Sequence, residues 1–339
     1  MIFTLKNDPG DFEDKVKASS ASFRSIHLYG QKIIVAWPDQ LVAGLTTEGV
    51  QMRVVRKPYA LSSREFKGED TLVRVGEAVI GDKELVVAAG PCSVENGEEF
   101  MEIAGDLKKM GVNIIRGGAF KPRTSPYSFT GLGEDGIRIL NMAREELGLP
   151  IVSEVLDART LPLFKEIDML QIGARNAQNF PLLESVGESG KPVLLKRGMQ
   201  NTVDEWLSAA DYVLSRGNGN VVLCERGIRT FETSTRFALD IGSLAAVKSI
   251  SHLPICADPS HSAGKRRLVE PLALAAVAAG AQMLLVEVHP NPDEALSDSE
   301  QQVTPTEFQS IYAKAKALNK LLQSLDEKVG RFAELQFCV

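Results

Sequence analysis

The sequence predicts a (β/α)8 barrel of the TIM type carrying a small ferredoxin-like α+β domain at its N-terminus. Three observations predict it. From about Glu84 onward, eight continuous apolar runs alternate with helix-length segments. Before that, strand-like and helix-like segments follow the order β-α-β-β. A polar, chemically capable residue stands at or shortly after the end of each of the eight apolar runs.

The N-terminal part opens with a strand-like run, Ile2–Leu5, and a helix-like segment, Pro9–Phe23. Two further runs, Ile26–Tyr29 and Lys32–Trp37, are separated by the turn residues Gly30-Gln31. A weaker apolar stretch, Gln40–Leu45, and a last run, Gln51–Arg56, would complete β-α-β-β-α-β. The second helix is short for that role. Lys57–Phe66 is polar, marked by Pro58 and without periodicity, and reads as a linker. Residues 1–64 are therefore expected to form the small domain with its linker, and 65–339 the barrel.

The eight barrel runs are Leu85–Ala89, Val112–Ile115, Ile151–Val155, Met169–Ile172, Val193–Leu195, Val221–Leu223, Leu253–Ala257 and Met283–Val288. Unbroken apolar runs suit parallel strands covered on both faces, and amphipathic segments such as Glu99–Met110 and Gly136–Leu147 suit crossover helices. A doubly wound open sheet is the competitor. It would usually carry a glycine-rich phosphate turn after its first strand, where this chain has Ala89-Gly-Pro-Cys-Ser93.

Composition narrows the function. The 339 residues are 44% hydrophobic and 24% charged, an ordinary globular balance that excludes disorder or coiled coil as the main theme. The net charge of −6 argues against nucleic-acid binding and against a polybasic membrane surface. Cys92, Cys224, Cys256 and Cys338 are widely spaced, with no C-x-x-C pair, as in a reducing compartment. No apolar stretch reaches membrane-spanning length, and Met1–Lys6 lacks a secretory pattern, so the expected location is cytoplasmic.

The residues after the runs are Cys92, Arg116, Glu154, Arg175, Lys196-Arg197, Glu225-Arg226, Asp258 with His261, and Glu287 with His289. In a barrel, the C-terminal strand ends and their loops form one rim, so these would converge on one site. Arg116, Lys121, Arg123, Arg175, Lys196 and Arg226, with Lys265-Arg266-Arg267 as candidates to join them, would concentrate positive charge on an acidic protein. That concentration points to a small, strongly anionic ligand bearing phosphate and carboxylate groups. Cys92, His261, Glu287 and Asp298 combine a thiol, an imidazole and two carboxylates, which could hold Mn²⁺, Fe²⁺, Co²⁺ or Zn²⁺.

Seven stretches then resemble one family. They are Ala89-Gly-Pro-Cys-Ser-Val94, Arg116-Gly-Gly-Ala-Phe-Lys-Pro-Arg-Thr-Ser-Pro126, Gln171-Ile-Gly-Ala-Arg-Asn-Ala-Gln-Asn179, Leu195-Lys-Arg-Gly198, Cys224-Glu-Arg-Gly227, Asp258-Pro-Ser-His261 and Val286-Glu-Val-His289. Together they closely resemble the type I 3-deoxy-D-arabino-heptulosonate 7-phosphate (DAHP) synthases, in the subgroup with an N-terminal ferredoxin-like domain. The resemblance spans residues 65–325. It implies condensation of phosphoenolpyruvate with erythrose 4-phosphate, the first step of the shikimate route to aromatic amino acids.

By the same resemblance, Arg116, Lys121, Arg175, Lys196 and Arg226, with the Ala174 backbone, would hold phosphoenolpyruvate. Pro122, Arg123, Thr124 and Ser125 would receive erythrose 4-phosphate. Cys92, His261, Glu287 and Asp298 match the family's metal ligands, with Mn²⁺ as the first expectation. Lys121 is expected to move a proton to the new alkoxide, helped by an amine pKa lowered among other cations, and Glu154 is a candidate to orient water. The small domain is expected to bring feedback inhibition by tyrosine or phenylalanine, and the subunits to form a homotetramer.

Two alternatives stay open. The related 3-deoxy-D-manno-octulosonate 8-phosphate synthases use arabinose 5-phosphate, but usually carry Lys-Ala-Asn-Arg where this chain has Lys121-Pro-Arg-Thr124. A purely binding or regulatory protein on a decayed barrel would be expected to have lost some of these residues. Of the remaining residues, Cys224 and Cys256 read as buried small hydrophobes, His252 as structural, and His289 as rim or solvated loop. Cys338, in the apolar tail Phe332–Val339, is a candidate to dock on the barrel or on a neighbouring subunit.

Overall fold

A computed structural model describes residues 1–5, 11–123 and 125–336 of the chain. The N-terminal strands are β1 (Ile2–Leu5), β2 (Ser22–Leu28), β3 (Gln31–Trp37) and β4 (Val50–Arg53), and α1 (Phe12–Ala18) follows β1. They form one antiparallel sheet in the order β2-β3-β1-β4, the ferredoxin-like arrangement. Alternation sorts its two faces. Phe3, Leu5, Ile34 and Ala36 pack with Phe12 and Val16 of α1, while Ile2, Ile26, Leu28 and Ile33 join the core shared with the barrel.

Three expectations for this domain need correction. The helix stops at Ala18, because Ser22 and Phe23 already pair with β3. The second helix is only a single 3₁₀ turn, Asp39–Leu41. The hairpin turn is Tyr29-Gly30, both with positive φ (52° and 73°), and Gln31 belongs to β3. A two-residue loop with φ positive at both positions matches the twist of the strands it joins.

The linker is a docked segment. Ala60, Leu61 and Ser62 donate their backbone N–H groups to Asp211 at 2.5, 3.0 and 2.8 Å, and Tyr59 is fully buried. His252 bridges the same region to the barrel, one ring nitrogen 2.9 Å from Thr71 Oγ1 and the other 2.8 Å from the Leu61 carbonyl.

A hairpin that periodicity did not reveal follows, β5 (Val73–Val75) and β6 (Ala78–Ile80). The barrel strands are β7 (Val86–Gly90), β8 (Ile114–Arg116), β9 (Ile151–Val155), β10 (Met169–Ile172), β11 (Val193–Lys196), β12 (Val221–Glu225), β13 (Ile255–Ala257) and β14 (Met283–Glu287). All eight pair in parallel, and β14 closes on β7. Inward residues such as Ala88, Ile114, Met169, Leu194, Cys224 and Cys256 form one cluster with Val73, Val75, Ala78 and Ile80, so the hairpin plugs the N-terminal end of the barrel. No helix among the described residues is long and apolar enough to cross a membrane.

Candidate active site

The C-terminal strand ends converge as the topology requires. Cys92 follows β7, Arg116 ends β8, Glu154 lies in β9, Arg175 follows β10, Lys196 ends β11, Arg226 follows β12, and Glu287 ends β14. His261 sits on the short helix α2 (Pro259–Ala263), which Asp258 caps by accepting the His261 backbone N–H at 2.9 Å. Asp298 lies in the loop after β14 with φ of +49°.

A cavity of about 270 Å³ opens here, lined by Lys121, Pro122, Arg123, Ser125, Glu154, Ala174, Arg175, Lys196, Arg226, Arg236, His261 and Asp298, among others. Cys92 and Glu287 are buried one contact behind this lining, against Lys121 and His261, and Arg116 is buried against Glu287. Thr124 lies outside the described residues, as does Cys338. Lys265, Arg266 and Arg267 do not join the cationic set. Lys265 donates to the Ser234 carbonyl, and Arg266 is held by the Gln302 carbonyl and Asp293.

Strand alternation divides the paired polar residues. Lys196 and Arg226 face the cavity, whereas Arg197 and Glu225 are buried against each other at 2.8 Å, with Asp240 at 3.1 Å from Arg197. His289 is also buried, 2.9 Å from Glu99, so it is not in a solvated loop. Its Nδ1 accepts the Asn291 backbone N–H, which leaves the ring proton on Nε2, facing the Glu95 and Glu99 carboxylates. That tautomer is a neutral imidazole with Nε2–H toward the Glu95 and Glu99 carboxylates, and it leaves no lone pair on Nε2 for a metal.

The cationic side chains differ in how well they are satisfied. Arg116 donates through Nη1 to the Pro91 carbonyl at 2.6 Å and to Glu287 at 3.1 Å, and its buried Nε has no partner. Lys196 pairs with Asp258 at 2.7 Å. Arg226 is 5% exposed, stacks on Phe237 with its guanidinium 4.2 Å from the ring centre, and has no partner for Nε or Nη1. Burial lowers its pKa, against the pull of Asp258. A buried guanidinium with orphaned donors is expensive unless an anion completes it.

Cys92, His261, Glu287 and Asp298 each offer one atom within 4.8 Å of the others. Cys92 Sγ is 3.3 Å from Asp298 Oδ2, and His261 Nε2 lies 3.5 Å from Glu287 Oε1 and 3.7 Å from Asp298 Oδ2. Burial lowers the His261 pKa despite Asp258 and Glu287, which favours the neutral ligand form. Burial opposes ionisation of Asp298, but His261, Arg236 and Lys121 outweigh it and hold its carboxyl well below the usual range. Burial pushes the Cys92 thiol up to about 12, so a metal would have to displace that proton. The donor set fits a borderline divalent ion.

Lys121 Nζ lies 3.0 Å from Cys92 Sγ and 3.1 Å from the Cys92 carbonyl. Burial alone would lower its pKa, as the cationic surroundings suggested. Glu287 and Glu154, together with the Cys92 sulfur when it is ionised, oppose burial and Arg116, and the amine is raised instead. Glu154 accepts from Gln171 at 2.9 Å. Gly173 permits this, since a Cβ there would fall on the Glu154 carboxylate.

Comparison with known proteins agrees with this geometry. Residues 65–324 match the profile of the DAHP synthetase I family. A phospho-2-dehydro-3-deoxyheptonate aldolase from Thermotoga maritima is 50% identical over 343 aligned positions, covering 97% of this chain and 100% of the relative. A 2-dehydro-3-deoxyphosphooctonate aldolase from Syntrophotalea carbinolica is 35% identical over 248 positions, 68% of this chain and 88% of its own length. The crystal structure of the Thermotoga maritima DAHP synthase superimposes with a TM-score of 0.77 at 42% identity, covering 96% of this chain and 97% of that one. A truncated form of a Thermotoga maritima 3-deoxy-D-arabino-heptulosonate 7-phosphate synthase gives 0.71 at 46% identity, covering 78% and 97%. The chain belongs to the DAHP synthetase I family.

Proposed function

We propose that this site condenses phosphoenolpyruvate with erythrose 4-phosphate to give DAHP and inorganic phosphate, the first step of the shikimate pathway. The observation that carries the reading is the buried, unpartnered Arg226 facing one cavity with Arg175, Lys196 and Lys121, beside the Cys92–His261–Glu287–Asp298 cluster. Arg116, Lys121, Arg175, Lys196 and Arg226, with the Ala174 backbone, would grip the phosphate and carboxylate of phosphoenolpyruvate. Pro122, Arg123, Thr124 and Ser125 would hold erythrose 4-phosphate. The unpaired Nη2 of Arg123, whose Nε is anchored 2.7 Å from the Phe129 carbonyl, supports that role.

A divalent ion on Cys92, His261, Glu287 and Asp298, with Mn²⁺ before Fe²⁺, Co²⁺ or Zn²⁺, would polarise the sugar aldehyde as a Lewis acid. The cationic walls align two anions that repel each other in water, so that C3 of the enol phosphate meets the aldehyde carbon. Lys121, with its raised pKa, keeps its proton until the alkoxide forms and then donates it. Positive charge grows at C2 as C3 attacks. Water adds there, oriented by Glu154, and phosphate leaves by C–O cleavage. The small domain would confer inhibition by tyrosine or phenylalanine, within a homotetramer.

The test is phosphoenolpyruvate consumption by metal-stripped protein given Mn²⁺ and either erythrose 4-phosphate or arabinose 5-phosphate, with and without tyrosine or phenylalanine. Metal-dependent turnover with erythrose 4-phosphate alone is expected. Preference for arabinose 5-phosphate would reassign the sugar, and no effect of either amino acid would remove the regulatory reading.

A further inference from the structure

Two adjacent glutamines, Gln301 and Gln302, are 2% and 0% exposed in the loop after β14. Buried amides at this depth must find specific partners. Gln301 Nε2 donates to Glu287 Oε2 at 2.6 Å, and its Oε1 accepts from Arg236 Nη1 at 2.9 Å. Gln302 Oε1 accepts the Cys92 backbone N–H at 2.9 Å, and its Nε2 donates to the Ser297 carbonyl at 2.9 Å. The partners fix both amide orientations, since a carboxylate or carbonyl can only accept and a guanidinium or amide N–H can only donate.

The consequence lies in which carboxylate oxygens remain. Arg236 Nη1 also donates to Asp298 Oδ1 at 3.1 Å, leaving Oδ2 to face Cys92 Sγ and His261 Nε2. Gln301 occupies Glu287 Oε2, leaving Oε1 toward His261 Nε2, where Arg116 shares it at 3.1 Å. The two outer oxygens are therefore tied through one Arg236–Gln301 unit, and the two inner ones converge. Gln301 also donates its own backbone N–H to the Asp298 carbonyl at 3.2 Å, bracing a residue whose φ of +49° is unfavourable for a side-chain-bearing residue.

We infer that Gln301, backed by Arg236, is a positioning residue that makes Glu287 and Asp298 single-oxygen ligands aimed at one point. This rests on the reading of Cys92, His261, Glu287 and Asp298 as metal ligands. Hydrogen-bonding partners of that kind commonly change metal affinity by about 10–100-fold when removed.

The test uses the full chain stripped of metal, with Mn²⁺ affinity measured by calorimetry and Co²⁺ binding by its absorption spectrum. Gln301→Met, which keeps length and removes both hydrogen bonds, is expected to weaken Mn²⁺ binding by about 10–100-fold and to shift the Co²⁺ bands. Arg236→Met, at an exposed position whose change leaves the core intact, is expected to weaken it in the same direction by about threefold or more. Wild-type affinity and an unchanged Co²⁺ spectrum in Gln301→Met would overturn the inference. If that variant does not fold, wild-type affinity in Arg236→Met would overturn it. Cys92→Ser tests the ligand assignment separately: binding of Co²⁺ with an unchanged spectrum in that variant would sink the assignment itself.

Discussion

Asp258 Oδ2 lies 2.8 Å from His261 Nδ1, while Asp258 Oδ1 accepts the His261 backbone N–H. One carboxylate thus fixes the turn that carries the imidazole and lies beside its Nδ1, while Nε2 points at Glu287 and Asp298. The same carboxylate pairs with Lys196 at 2.7 Å. Asp258→Asn is expected to lower Mn²⁺ affinity by about 10–100-fold while the fold persists. Calorimetry on the metal-stripped variant checks it, and wild-type affinity would show that His261 needs no such support.

Arg226 is arranged for a ligand at the expense of the empty protein. Arg226→Met is expected to cut kcat/KM for phosphoenolpyruvate by about a hundredfold, since it removes a buried charge partner. The same change should raise stability by about 1 kcal/mol, because it removes a buried cation whose Nε and Nη1 have no partner. Chemical denaturation of the two ligand-free proteins is the measurement. A loss of stability alongside the loss of activity would mean that Arg226 serves the fold.

His252 gives the junction between linker and barrel a pH dependence. Burial holds its pKa down to about 4, against a hydrogen bond to the Leu61 carbonyl. The unfolded chain takes up that proton near pH 6.5 and the folded chain only near 4, so the stabilisation is complete above pH 6.5 and is lost between those values. The amount is on the order of 3 kcal/mol. In His252→Gln the fall in stability between pH 7 and pH 4.5 should be shallower. An equal fall in both proteins would assign the dependence to carboxylates elsewhere.

Asp211 makes the segment after the small domain part of the barrel. Asp211→Ala would strand the amides of Ala60, Leu61 and Ser62, costing about 3 kcal/mol. It follows that a truncated protein starting at residue 57 should melt at a higher temperature than one starting at residue 65. Equal melting temperatures would place the boundary after the segment.

The barrel was legible because parallel strands buried on both faces leave mainly apolar runs, and Ile151–Val155 and Met169–Ile172 are the observed strands to the residue, although Ser153, Glu154 and Gln171 lie within them. The hairpin at 73–80 was not, since three-residue strands are too short for periodicity to register. In the small domain the apolar Gln40–Leu45 stretch suggested a helix, yet its Val42 needs only one 3₁₀ turn to reach the core. Ligand types at the strand ends could be read in order, but Asp258, Arg236 and Gln301 act through contacts between distant loops. Only Asp258 left a signal, its i,i+3 spacing from His261, which suits a helix cap. The expected lowering of the Lys121 pKa failed because counting nearby cations ignores the anions between them.

The packed barrel interior, closed below by Val73, Val75, Ala78 and Ile80, leaves the rim cavity a vessel with one doorway. Reactants and products must pass through the same opening, and the buried Arg226 and Lys196 lie deeper than the exposed Ser125. Such a vessel works as a stack, where whatever seats lowest must enter before its partner and cannot leave past it. If phosphoenolpyruvate seats on Arg226 and Lys196 and erythrose 4-phosphate on Ser125, as proposed, the enol phosphate would be the first guest and the sugar phosphate the stopper.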